Sequence, residues 1–301
     1  MSADATPSAP EHLTFRAADG QRVAATRFPG RGVVRGNLLV AGATAVPQGF
    51  YRAFAEHASA RGYATLTLDY RGIGRSRPAT LKGVEVRFFD WARLDLAAAV
   101  DAMTDERVPL FYVGHSFGGH ALGLLPNHDR IARAYLFAMG AGWHGWMPPL
   151  ERLRVQVLWN VVLPVLTSCY GYMPSRMLGM GEDLPLGVYR DWRRWCSFPH
   201  YFFDDPAEPG LADEYGRVRT PIVAANSRDD PWAPPRSRDA FLEKGYRNAP
   251  VERIDIDPRT LGEVGHIGYF RRSAQALWDG ALDWFEGSSA ALRLTNVVGR
   301  L

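Results

Sequence analysis

Apolar and polar residues alternate over positions 13–17 and again over 22–28, and the pair Asp19-Gly20 divides the two runs. That period of two, broken by a turn dipeptide, predicts a β-hairpin. Short apolar, partly β-branched runs at 37–41, 63–69, 108–113, 134–139, 221–225 and 251–256 predict further strands. Between them the spacing lengthens to that of a helix face, at 50–61, 88–103, 120–125, 236–244 and 267–285, with Gly62 placed to cap the first. Strands that alternate with helices predict an α/β fold: a mainly parallel twisted sheet with helices on both faces, opened by an antiparallel hairpin.

Residues 141–212 break the alternation. They are dense in Trp, Tyr, Met and Pro and hold helical fragments without strand periodicity. The expectation is a mostly helical cap inserted over the C-terminal edge of the sheet, where ligands bind in such folds. The core is then 12–140 and 213–286, with loosely attached tails at 1–11 and 287–301. Within the cap, 155–173 carries no charge and is flanked by Arg154 and Arg176. Its Gln156, Asn160, Pro164, Thr167 and Ser168, and a length near the lower limit of a span, favour an apolar helix of a soluble domain over a membrane crossing. Transient lipid contact by 155–166 is part of that reading.

Bulk composition narrows the class. A chain of 301 residues that is 47% hydrophobic supplies a sizeable core. The net charge of +3, with no basic run of five, gives no reason to expect a nucleic-acid partner. Cys169 and Cys196 fit neither a metal spacing nor a disulfide framework, and the N-terminus lacks a secretory pattern. A reduced cytoplasm is the expected compartment, with no metal and no cofactor.

Chemistry concentrates after the strand at 108–113, where the chain reads Gly114-His115-Ser116-Phe117-Gly118-Gly119. A serine between glycines at a strand–helix junction occupies a sharp turn, and Gly114 and Gly118 remove side chains that would clash there. The pattern G-x-S-x-G is complete. A serine hydroxyl needs a base, and the base needs an orienting acid. Of eight histidines, His266 follows the last predicted strand on a loop at the sheet edge that carries Ser116. His115 adjoins the serine but should point away and pack, whereas His120 either lines the site or packs. The acid should follow the next-to-last strand, where Asp229 and Asp230 stand side by side. An aspartate there can also brace the turn through backbone amides. Oxyanion donors are expected from the amide of Phe117 and from the loop after the third strand, where Ala43 is the candidate.

Together Gly-His-Ser-Phe-Gly-Gly, Asp69-Tyr70-Arg71-Gly72-Ile73-Gly74-Arg75-Ser76, Asp229-Asp230-Pro231-Trp232-Ala233-Pro234 and Gly265-His266-Ile267-Gly268-Tyr269-Phe270-Arg271 resemble the α/β-hydrolase superfamily. Over about residues 12–286 the chain is similar to bacterial serine hydrolases of the serine aminopeptidase-like and monoacylglycerol-lipase-like kind. The resemblance implies Ser116 as nucleophile, Asp230 as acid, with Pro234 four positions on, and His266 as base, in the superfamily's order Ser, Asp, His. Ala41 departs from the histidine that often precedes the glycine in position 42. The implied activity is cleavage of a small-molecule carboxylic ester through an acyl-enzyme, and the cap aromatics suit an apolar acyl or aromatic group. The same triad also serves acyl transfer to an alcohol or thiol. A non-catalytic binding protein is the reading that three intact catalytic side chains argue against.

Overall fold

Eight strands form one sheet in the order β1-β2-β4-β3-β5-β6-β7-β8, in a computed structural model that describes residues 9–287. The strands are β1 (Glu11–Arg16), β2 (Arg22–Phe28), β3 (Gly36–Ala41), β4 (Tyr63–Leu68), β5 (Leu110–His115), β6 (Ile131–Phe137), β7 (Ile222–Ser227) and β8 (Val251–Ile256). β1 pairs antiparallel with β2, and β2 antiparallel with β4. Every other pairing is parallel. The expected hairpin and mainly parallel sheet are both present. Of the expected tails, 1–8 and 288–301 lie outside the described residues, and Glu11 already opens β1.

Side chains of the central strands alternate between two buried clusters, because successive residues of a strand point to opposite faces. Leu39, Tyr112, Leu136 and Ala224 pack on one face with Trp91, Leu122 and Trp195. Leu38, Phe111, Tyr135 and Val223 pack on the other with Phe54, Trp278 and Phe285. The sheet is therefore covered on both sides, and only its strand ends remain for chemistry.

The helices expected over 88–103 and 267–285 depart from the periodicity. The helix over 88–103 contains a π-helical stretch, Trp91–Leu96. That stretch brings Trp91 and Asp95 inward together. Trp91 stacks on Tyr70 at 4.7 Å and meets Phe117 edge-on at 5.4 Å. Asp95 accepts from the Arg71 backbone and from Arg71 Nε, each at 2.8 Å. The last helix runs only over Gln275–Phe285. The expected first part, from 267, is two 3₁₀ turns, Gly268–Phe270 and Arg272–Ala274. Tyr269, Phe270 and Ala274 are buried, so the apolar spacing looked helical while the backbone wound more tightly.

Between β6 and β7 the named elements are all helical, the longest being the helix Pro149–Tyr170. Trp159, Trp195, Tyr201 and Phe202 are buried there and join the core on the side of Trp91.

Candidate active site

The turn after β5 positions Ser116. Its backbone sits at φ 52° and ψ −109°, a conformation that L-residues adopt only when the surroundings hold it. The Ser116 amide donates to the Phe137 carbonyl at 2.9 Å, and the Gly119 amide donates to the Ser116 carbonyl at 2.8 Å. Close approach explains the flanking glycines. A Cβ on Gly118 would stand 2.1 Å from the Ala41 carbonyl oxygen, and one on Gly114 would stand 2.7 Å from the Gly118 backbone. The helix Phe117–Ala121 begins immediately after the serine, three residues earlier than its periodicity suggests. Phe117, as its first residue, has an amide with no acceptor within the helix.

His266 reaches the serine from the loop after β8. Its Nε2 lies 3.0 Å from Ser116 Oγ, and its Nδ1 lies 2.9 Å from Asp230 Oδ2. Asp230 comes from the turn after β7, and its side chain is fully buried. Burial pushes the Asp230 carboxyl up. The His266 charge, the hydrogen bond between them, and the amides of Ala233 and Trp232 outweigh burial and hold it below the usual carboxylate range. Both of those amides donate to Oδ1 at 2.9 Å. Tyr269 Oη, which accepts from the Ser227 amide at 2.7 Å, lies 3.4 Å from Oδ2. The structure thus brings Ser116, Asp230 and His266 into one hydrogen-bonded line from three loops at one edge of the sheet.

Asp229 does something else. Its carboxylate accepts from the Val264 amide at 2.9 Å and the Gly265 amide at 3.1 Å. It also accepts from Ser227 Oγ. It braces the loop that presents His266 rather than touching the imidazole.

His115 points away from the serine, yet it is tied to the site. Its Nε2 faces the carbonyl oxygen of His266 at 2.9 Å and must therefore carry the proton. Nδ1 is then an acceptor for Tyr51 Oη, 2.9 Å away. Burial, and next the nearby His266 charge, lower the His115 pKa to about 3, so the ring is neutral near pH 7. His120 is a packing residue: it is buried, donates from Nε2 to the Gly140 carbonyl at 2.9 Å and stacks on Phe241 at 4.8 Å.

Tyr51 also overturns one expectation. The Ala43 amide, the candidate second oxyanion donor, donates to Tyr51 Oη at 2.7 Å. In this arrangement it is engaged within the protein and not free to face Ser116. Tyr51 itself, 1% exposed, carried no sequence signal, because its role arises from a helix packing back onto the loop eight residues before it. Tyr51→Phe should orphan both the Ala43 N–H and His115 Nδ1. We expect a stability loss of about 2 kcal/mol, since each buried orphan costs about 1–3 kcal/mol. Urea unfolding checks this; an unchanged midpoint and slope would mean the hydroxyl bridges nothing.

Aromatic rings lead away from the imidazole. Trp232 lies 6.5 Å from His266, Trp192 lies 6.0 Å from Trp232, and Trp159 meets Trp192 edge-on at 4.9 Å. Among the described residues no cluster of three or more His, Cys, Asp or Glu is placed to hold a metal ion.

Comparison with known proteins places this arrangement. Residues 38–279 match the model of the alpha/beta hydrolase family. A segment of 84 residues is 39% identical to the quorum-quenching protein AidA of Acinetobacter baumannii, strain MDR-ZJ06. That segment is 27% of this chain and 27% of AidA. A soluble variant of monoglyceride lipase from Saccharomyces cerevisiae superposes with a TM-score of 0.66 at 15% identity, over 95% of this chain and 97% of the other. An esterase of Pyrococcus furiosus gives 0.60 at 14% identity, over 95% and 97%. The epoxide hydrolase of Vigna radiata gives 0.59 at 14% identity, over 93% and 98%. These three share the fold, whereas the family match spans most of the chain and covers all three converging loops. The chain belongs to the alpha/beta hydrolase family.

Proposed function

We propose that this protein is a hydrolase that cleaves carboxylic esters of small molecules through a Ser116-His266-Asp230 triad and an acyl-enzyme. The observation that carries the reading is the position of the His266 ring, with Nε2 at 3.0 Å from Ser116 Oγ and Nδ1 at 2.9 Å from buried Asp230.

Ser116 Oγ attacks the ester carbonyl carbon as its proton passes to His266 Nε2. The amide of Phe117 donates to the developing oxyanion, and one such donor is worth about 3–4 kcal/mol. Collapse breaks the bond from carbon to the alcohol oxygen, and the alcohol leaves with the proton from Nε2. Water then attacks the acyl-enzyme, giving its proton to Nε2, and the acid departs as Ser116 regains its hydrogen. Throughout, Asp230 fixes the Nδ1–H tautomer and balances the imidazolium charge. The helical insertion between β6 and β7 acts as a cap, and its aromatic run from Trp159 through Trp192 and Trp232 favours an apolar acyl or aromatic group beside the imidazole.

A fluorophosphonate probe tests the nucleophile directly. We expect one covalent adduct per chain, located at Ser116 by mass spectrometry of the peptides. An unlabelled wild-type protein, or an adduct on another residue, sinks the assignment.

A further inference from the structure

We propose that the outer face of the helix Pro149–Tyr170 docks on the surface of an anionic phospholipid bilayer, lying along the bilayer rather than crossing it. The inference stands on that face alone and does not require the triad reading.

Two rows of side chains run along this 22-residue helix. Val155, Trp159, Leu163 and Thr167 recur every four residues and are buried. Trp159 packs on Trp192 and Tyr189, which holds the helix to the body of the protein. The other row faces water: Leu150 is 81% exposed, Leu153 60%, Val157 47%, Val161 59% and Val165 60%. Single exposed apolar residues are ordinary, but a contiguous row of them marks an interaction surface.

The charges beside the row select the partner. Glu151 is the helix's one carboxylate; it is mostly covered and pairs with Arg154. Arg152 and Arg154 are exposed at one end of the row. At the other end the stem of exposed Lys82 lies over Gly171, while exposed Arg176, six residues past the helix, is paired with Glu182. An apolar row bordered by cations, with no exposed carboxylate on the helix, is the pattern of an interfacial helix, and it complements anionic headgroups. A crossing orientation would strip Trp159 and Thr167 of their packing. Antiparallel pairing of two copies through this face would set Arg152 and Arg154 against Lys82, like charge against like.

Co-sedimentation of the whole chain with vesicles tests the proposal. With equal parts phosphatidylglycerol and phosphatidylcholine at low salt, we expect the wild type to pellet with the vesicles. With phosphatidylcholine alone, or in 0.5 M salt, binding should fall several-fold, given the ~3 Å screening length at 1 M. The triple variant L153E/V157E/V161E should lose binding tenfold or more while keeping its circular dichroism spectrum and thermal midpoint. The pair V157K/V161K, which keeps positive charge, should lose most of the binding too, which separates apolar insertion from simple attraction. No association of the wild type with the anionic vesicles overturns the proposal. So does equal binding by a folded triple variant. A wild-type dimer by light scattering that the triple variant converts to monomer also overturns it, because the face is then covered by a second copy.

Discussion

Replacing Ser116 by alanine is expected to lower kcat/KM for p-nitrophenyl esters by at least about 10⁴-fold, with folding intact. Removing the nucleophile of such a triad costs about 10⁶ in kcat, and the residual rate reflects binding and the oxyanion donors that remain. In the proposed mechanism the remaining donor is the Phe117 amide, whose position depends on the backbone and not on the serine hydroxyl. The variant should also be no less stable than the wild type. Ser116 Oγ holds its one side-chain hydrogen bond with His266 at 3.0 Å, and the backbone at φ 52° is as strained for alanine as for serine. Steady-state kinetics beside thermal melting checks both halves. A variant that keeps more than a hundredth of the rate would mean that another group attacks the substrate.

Much of this site was readable from the chain, and the reason is local. The requirement for Gly114 and Gly118 comes from backbone atoms within a few residues or on the adjacent strand. The strand before Ser116 declares itself by its run of apolar residues. His266 was readable because β7 and β8 are exposed to the same rule, each ending at one edge of a parallel sheet. What was hidden depends on contacts that periodicity does not encode. The spacing over 88–103 reads through the π-helical stretch, since the pattern of apolar residues does not report which carbonyl each amide bonds. The Tyr51 bridge to Ala43 and His115 joins three segments by side-chain hydrogen bonds. The uncharged run at 155–173 has similar residues on both sides of its helix. Only packing against Tyr189 and Trp192 decides which row is covered and which faces water.

The choice between two adjacent aspartates turns on where each oxygen goes, and that choice has a large consequence. Asp230→Asn should cost about 10⁴-fold in kcat, the magnitude that an aspartate-to-asparagine change at the orienting acid brings by imposing the wrong tautomer. The direction follows from the bonds around it. The Trp232 and Ala233 amides both donate to Oδ1, so they fix the asparagine oxygen at that position. Its NH₂ must then occupy the Oδ2 position, 2.9 Å from His266 Nδ1. Nδ1 becomes an acceptor, the ring proton moves to Nε2, and Nε2 can no longer take the proton of Ser116. Asp229→Asn acts differently. It weakens the hold on the Val264 and Gly265 amides and lets the His266 loop shift. A displacement of about 1 Å costs about 10²-fold, so we expect a loss no larger than that, accompanied by a lower thermal midpoint. Measuring kcat and melting for both variants separates the roles. If the Asp229 variant proves the slower of the two while staying folded, the acid is Asp229, and the hydrogen bonds between Asp230 and His266 serve only to hold the loop.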